Sequence, residues 1–238
     1  MSNNTVNPEK GKLDHLINLY NKGDIINLIN QSKYFLNKYP KSYILWNILG
    51  VAFSLDKNTQ KKAIEAYRKC ISLKPDFADV YNNLGVALQN QGSQDEALKI
   101  FQQAISLKPN YADAYNNIGA IYKDQGKLNE SAKAYQKSIS INPNNSILYY
   151  NLGNILKEQE KNDQAIEMYN KSISLNPNLA QVYNNMGNIF KDQGEFKKAI
   201  NLFKKSILIK PEYAEAHHNL SISLLNDGKI VEGLEEYE

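Results

Sequence analysis

Residues 81–109 read YNNLGVALQNQGSQDEALKIFQQAISLKP, and the order of residue types in this stretch decides the fold. A ring at Tyr81 precedes Leu84 and Gly85, after which Ala97, Phe101 and Ala104 follow at helical spacing and Pro109 closes the segment. Working outward, Gly85, Gly119, Gly153 and Gly187 fall 34 residues apart, with Gly50 one residue early and Ser221 continuing the series. A fixed period of this length predicts an array of helix pairs, each burying its apolar face by stacking on its neighbours.

Aligned on the glycines, repeats start at Tyr43, Ala78, Ala112, Ser146, Ala180 and Ala214. Fourth in each stands Trp46, Tyr81, Tyr115, Tyr149, Tyr183 or His217, and seventh stands Leu49, Leu84, Ile118, Leu152, Met186 or Leu220. The second half carries small residues at Ala63, Ala97, Ser131, Ala165, Ala199 and Gly233, then rings at Tyr67, Phe101, Tyr135, Tyr169, Phe203 and Tyr237. Small residues return at Cys70, Ala104, Ser138, Ser172 and Ser206. A large ring packs between helices only where the residues facing it are small. Pro75, Pro109, Pro143, Pro177 and Pro211 end the units, because a ring without an N–H stops the second helix.

These columns resemble the tetratricopeptide repeat (TPR), and the resemblance covers 43–238 in register. It implies an all-α, right-handed α-solenoid of tandem TPR helix-turn-helix units at 43–77, 78–111, 112–145, 146–179, 180–213 and a partial 214–238. A degenerate capping TPR is expected over 9–42, where Leu16, Gly23, Leu28, Phe35 and Pro40 hold corresponding places while the small-residue columns are lost. The polar, unpatterned start gives a disordered tail over 1–8.

Composition excludes more than it assigns. Net charge is +3, and lysine supplies the positive charge with Arg68 the sole arginine. That argues against a nucleic-acid partner, for which guanidinium forks are the preferred tool. Lys197, Lys198, Lys204, Lys205 and Lys210 cluster on one second helix and read as a solvated outer face. No run approaches the ~18 apolar residues of a membrane span, and the polar start is not a secretory signal, so no membrane partner and a cytoplasmic location are expected. Cys70 sits in a packing column and reads as core. No catalytic residues, cofactor or metal site are expected: there is no HExxH, no nucleophile elbow and no phosphate loop. His217 and the adjacent His218 diverge by about 100° on a helix and make a poor ligand pair.

The working surface is expected on the first helices, whose second, sixth, ninth and thirteenth places cluster opposite the packing residues. Sixth stand Asn83, Asn117, Asn151, Asn185 and Asn219; fifth stand Asn82, Asn116, Tyr150, Asn184 and His218. A primary amide both donates and accepts, so a row of them pairs with a peptide backbone irrespective of its side chains. This row is similar to the asparagine ladder of the TPR superhelix in O-linked N-acetylglucosamine transferases, and the resemblance implies a concave, peptide-binding groove at these positions. Asparagine is also abundant throughout this chain, so solvated filler is the competing reading. Lys123, Lys157 and Lys191 thread the groove at the twelfth place, and Asp79, Asp113, Glu215, Asp124, Glu158 and Asp192 edge it. The expected ligand is a protein or peptide in extended conformation, polar or basic in character, and the expected role is a non-enzymatic interaction scaffold.

The ending NLSISLLNDGKIVEGLEEYE resembles closing repeats that lead into bacterial TPR-containing transferases. It raises the alternative of a substrate-recruiting arm with a catalytic domain beyond Glu238, and the uncapped last repeat raises self-association through that end.

Overall fold

The computed structural model describes residues 6–236, which are helical with no strand among them. Helices pair as α1 (Lys10–Asn21) with α2 (Ile25–Lys38), α3 (Tyr43–Ser54) with α4 (Gln60–Leu73), and α5 (Ala78–Asn90) with α6 (Gln94–Leu107), and α7 (Ala112–Asp124) and α8 (Leu128–Ile141) follow in the chain. They continue as α9 (Ser146–Glu158) with α10 (Asn162–Leu175), α11 (Ala180–Asp192) with α12 (Phe196–Ile209), and α13 (Ala214–Asn226) with α14 (Ile230–Glu235). The chain forms two compact units, Met1–Ile121 and Tyr122–Glu238. Within the first, α3 touches α5; within the second, α9 touches α11 and α11 touches α13. First helices therefore line up side by side in each unit. The first five residues of the expected tail, Tyr237 of the ring column and Glu238 lie outside the described residues. Of the remaining tail, Asn7 accepts a hydrogen bond from Ser42 Oγ at 2.8 Å and Pro8 is buried.

What sets the period is visible at the glycines. A Cβ built on Gly50, Gly85 or Gly153 lies 2.5 Å from Cε1 of Tyr67, Phe101 or Tyr169, and one on Gly187 lies 2.6 Å from Phe203. Real Cβ atoms do not approach so closely, so each ring requires a glycine on the facing first helix. The second small column adds a polar tie between the two helices of a repeat. Ser172 Oγ donates to the Ser146 carbonyl and Ser206 Oγ to the Ala180 carbonyl, both at 2.9 Å, and Cys70 Sγ sits 3.1 Å from the Tyr43 carbonyl. Burial pushes the Cys70 thiol up to about 11, which keeps it protonated and inert at neutral pH. At the fourth column the ring tips close the preceding turn: Trp46 Nε1 donates to the Pro40 carbonyl and Tyr81 OH to the Pro75 carbonyl, each at 3.0 Å.

Turns inside the repeats are also in register. Gly23, Gly92, Gly126, Gly194 and Gly228 all have positive φ, from 71° to 88°. In the repeat starting at Ser146 the same place is taken by Glu160, at φ 59°. Its N–H donates to the Lys157 carbonyl and that of Lys161 to the Leu156 carbonyl, both at 2.9 Å, so the helix end has the usual left-handed closure despite the side chain. A non-glycine residue there costs on the order of 1 kcal/mol. Glu160→Gly is expected to raise unfolding free energy by about 0.5–1 kcal/mol in urea titration; a drop would mean that the side chain supports the turn.

The early Gly50 has a physical reason. Repeat 43–77 is one residue longer, and the extra residue lies in the turn, where Lys57–Thr59 forms a short 3₁₀ helix. Gln60 then turns its amide back, Nε2 donating to the Ser54 carbonyl at 2.9 Å. In the first helix pair the bulk is redistributed: counted from residue 9, Leu16 takes the glycine's place and Ser32 the ring's, and both are fully buried. Leu28 and Phe35 fill the two small columns. Large and small have exchanged sides, which conserves volume while losing the repeat signature.

At α14, His217 holds two acceptors at once: Nδ1 meets the Glu236 carboxylate and Nε2 the Pro211 carbonyl at 2.7 Å. Only the imidazolium donates from both nitrogens. The Pro211 carbonyl first, and Glu236 second, accordingly raise the His217 pKa above its ordinary value. A raised folded pKa means that this contribution is complete below the unfolded value of about 6.5 and is lost as pH climbs through the folded one. Amide protection factors over 230–236 should therefore fall on going from mildly acidic to alkaline buffer. The fall should be absent in His217→Phe.

Candidate functional site

The first-helix asparagines are not a row of identical free amides. Asn117 Nδ2 donates to Asn82 Oδ1 at 3.1 Å, and Asn219 Nδ2 donates to Asn184 Oδ1 at 3.1 Å. In both cases the sixth residue of one repeat is tied to the fifth of the repeat before it. Neighbours complete these ties: Asn116 Nδ2 lies 3.4 Å from Asn117 Oδ1, Asn184 Nδ2 donates to Glu215 at 2.9 Å, and Lys191 Nζ donates to Asn219 Oδ1 at 2.9 Å. Asn82, Asn184 and Asn219 are buried. Such ties hold adjacent repeats in register and satisfy buried amides.

Tyr150 breaks the pattern. It occupies the fifth place of its repeat and offers no amide oxygen, so Asn185, sixth in the next repeat, turns instead to Asn154 Oδ1 at 2.8 Å. The same oxygen accepts the hydroxyl of fully buried Tyr169, also at 2.8 Å. Burial is the leading cause of the raised Tyr169 pKa, which leaves its hydroxyl a donor across the ordinary pH range. One repeat on, the ninth-place equivalent of Asn154 is Asn188, whose Oδ1 is buried without a hydrogen-bond partner among the described residues. There Asn184 has taken the tie, leaving Asn188 unused.

Breaking the tie opens a recess of about 300 Å³, lined by Lys123, Tyr150, Asn154, Lys157, Glu158 and Asn185. All six lie in the second unit. The Tyr150 ring packs on Tyr169 with centroids 6.4 Å apart. Lys123 Nζ stands 3.8 Å from Glu158 Oε1, a loose ion pair at the rim. Once internal bonds are formed, Asn154 retains its Nδ2 donors, Asn185 its Oδ1 acceptor, and half-buried Lys157 its ammonium, none with a partner among the described residues.

Of the residues the sequence singles out, the recess brings together Lys123, Tyr150, Lys157 and Asn185. Asn184, Asn219 and Lys191 form the separate tied network between α11 and α13, and Asn82, Asn116 and Asn117 the one between α5 and α7. Asn83 and Asn151 are half-buried on the same helix face. Sequence reasoning missed Asn154. Its signal was present: the ninth column reads Val51, Val86, Ala120, Asn154, Asn188 and Ile222, where two amides interrupt apolar residues. Among the described residues, no cluster of three or more His, Cys, Asp or Glu suited to a metal occurs, and no helix is long and apolar enough to cross a membrane.

Known proteins resemble this chain in sequence or in fold. The peroxisomal targeting signal receptor of Saccharomyces cerevisiae is 33% identical over 73 residues, which are 31% of this chain and only 12% of the receptor. Among solved structures, PilF of Pseudomonas aeruginosa matches 82% of this chain and 88% of its own at 20% identity, with TM-score 0.72. YrrB, described as a TPR protein with an unusual peptide-binding site, matches 73% of this chain and 89% of its own at 23% identity, with TM-score 0.62. At such identities the likeness is one of fold. The TPR repeat family matches at residues 55–92, 90–126, 119–160 and 153–194, and the tetratricopeptide repeat again at 180–213. Matched over more than half its length, with glycines and rings meeting as the repeat requires, the chain belongs to the tetratricopeptide repeat family.

Proposed function

We propose that this protein is an interaction scaffold that binds an extended polypeptide segment at the first-helix face of α9 and α11, across the recess opened by Tyr150. The supporting observation is the residual hydrogen-bonding capacity of the Asn154–Asn185 pair. A peptide group needs one donor for its carbonyl and one acceptor for its N–H, and Asn154 Nδ2 and Asn185 Oδ1 are those two groups on adjoining side chains. Their mutual bond fixes both amides before a ligand arrives, which lowers the ordering cost of binding. Tyr150 supplies a half-buried aromatic anchor of the kind that dominates binding energy. The repeat family, and the peptide-binding site after which YrrB is described, fit the same reading.

The row of five asparagines contributes unequally on this reading: those at Asn117 and Asn219 hold repeats together, and Asn185 with Asn154 meets the ligand. Selection from a phage-displayed library of nine-residue peptides tests it. Tyr150→Asn returns an amide to the fifth place, so Asn185 is expected to tie to residue 150 as Asn117 ties to Asn82, and the recess to lose its anchor. Wild type should enrich peptides that Tyr150→Asn does not retain, while both proteins keep the same helicity and melting temperature to within a few degrees. Equal enrichment by the two proteins would remove the recess from the account.

A further inference from the structure

The recess also carries a charge preference, and it runs against the basic ligand expected from the sequence. Three lysines occupy the twelfth place along this face. Lys123 has Glu158 at 3.8 Å, and Lys191 donates to Asn219 Oδ1 at 2.9 Å. Lys157, between them in the series, has no acceptor among the described residues, although it is half-buried and lines the recess with Tyr150 and the two amides. Two ammonium groups against one carboxylate leave the lining one positive charge in excess. A partly desolvated ammonium without a counter-ion is unfavourable, and an incoming anion relieves it.

We infer that the recess selects an acidic residue within the bound polypeptide, whose side-chain carboxylate is taken by Lys157 while the adjoining peptide group pairs with Asn154 and Asn185. This rests on the recess being a polypeptide site. The carboxylate comes from an internal Asp or Glu rather than a chain end. Asn185 Oδ1 presents an acceptor beside Asn154 in the recess, and a terminal carboxylate seated over that amide pair would face it without a proton to offer. A lysine or arginine in the same position meets Lys157 and Lys123 and is repelled. Glu158, held by Lys123, is left as the rim group that keeps a second acid out. The preference is therefore for one acidic residue, not for a run of them.

The test uses the full chain and the same library of nine-residue peptides, displayed so that neither end is free. Sequencing should show Asp or Glu enriched at one position. A synthetic copy of the strongest sequence, acetylated and amidated, should lose about 10- to 100-fold in affinity when that acid becomes Asn or Gln, and more when it becomes Lys. Lys157→Gln should abolish the difference between the acidic and neutral peptides, Lys157→Arg should keep most of it, and Lys191→Gln should leave it unchanged. Affinity for the acidic peptide should fall with added salt, that for the neutral one hardly at all. Tight binding of a peptide truncated to end in a free carboxylate at that position would assign the site to chain termini and overturn the internal acid. Enriched peptides that are neutral or basic, or an acid preference that survives Lys157→Gln, would overturn the inference while the polypeptide site stood. Enrichment no better than that of Tyr150→Asn would overturn both.

Discussion

Ala165→Glu is expected to cost about 3–5 kcal/mol of unfolding free energy, because it places a carboxylate in a fully buried packing column among apolar residues. Ala165 is fully buried in the same core cluster as Tyr169, Leu152, Ile155 and Val182. Its column exists to leave room for the ring, and a glutamate there meets both steric and electrostatic opposition. Tyr169 cannot move aside, since a Cβ on Gly153 would already lie 2.5 Å from its ring. In an array whose stability sums over units and their interfaces, the loss should appear first in 146–179 and its neighbours. Urea unfolding followed by hydrogen exchange reads both the size and the place. A variant that unfolds like the parent would mean that Ala165 does not face the ring.

Asn154→Ala should lower stability and binding together, and the two effects can be separated. Removing Asn154 Oδ1 strands the buried Tyr169 hydroxyl, at a cost of about 1–3 kcal/mol. Deleting that hydroxyl as well, in Asn154→Ala/Tyr169→Phe, removes the unpaired group and should recover most of the loss. Binding should not recover. The double variant still lacks the Nδ2 donor and no longer orients Asn185, so a peptide selected by wild type should bind roughly 10- to 100-fold more weakly. Tyr169→Phe alone should bind as wild type does. If the double variant regained affinity along with stability, Asn154 would be a support for Tyr169 and nothing more.

The repeat architecture was legible because its constraints are local and recurrent. Gly85 opposite Phe101 and Gly153 opposite Tyr169 are the same steric requirement written 68 residues apart in sequence, and a period exposes it without any structure. The places where the period lapses were harder to read. Leu16 and Ser32 conserve volume by exchanging sides, which erases the column while keeping the packing. Glu160 stands at positive φ in a glycine's place, and residue type alone does not announce that.

The candidate site was half legible for a related reason. Position on the helix face brought Asn185 into view at the sixth place, and the columns flanking that sector, fifth and twelfth, brought Tyr150, Lys123 and Lys157. Hydrogen-bond direction is not encoded in such a sector. Asn117 and Asn185 look identical in the alignment, yet one donates to Asn82 and the other to Asn154, because Tyr150 stands where an asparagine would have accepted. The interruption of the fifth column was the informative residue, more than the regularity of the sixth.

Side-chain amide resonances test the central claim most directly. With this chain ¹⁵N-labelled throughout and a capped peptide selected by wild type from the library, the Nδ2 protons of Asn154 and Asn185 should shift on titration, saturating together with the peptide. Those of Asn219 and of Asn82, tied between repeats, should stay in place. Shifts confined to the second helices α10 and α12, with the Asn154 and Asn185 amides unmoved at saturation, would contradict the account.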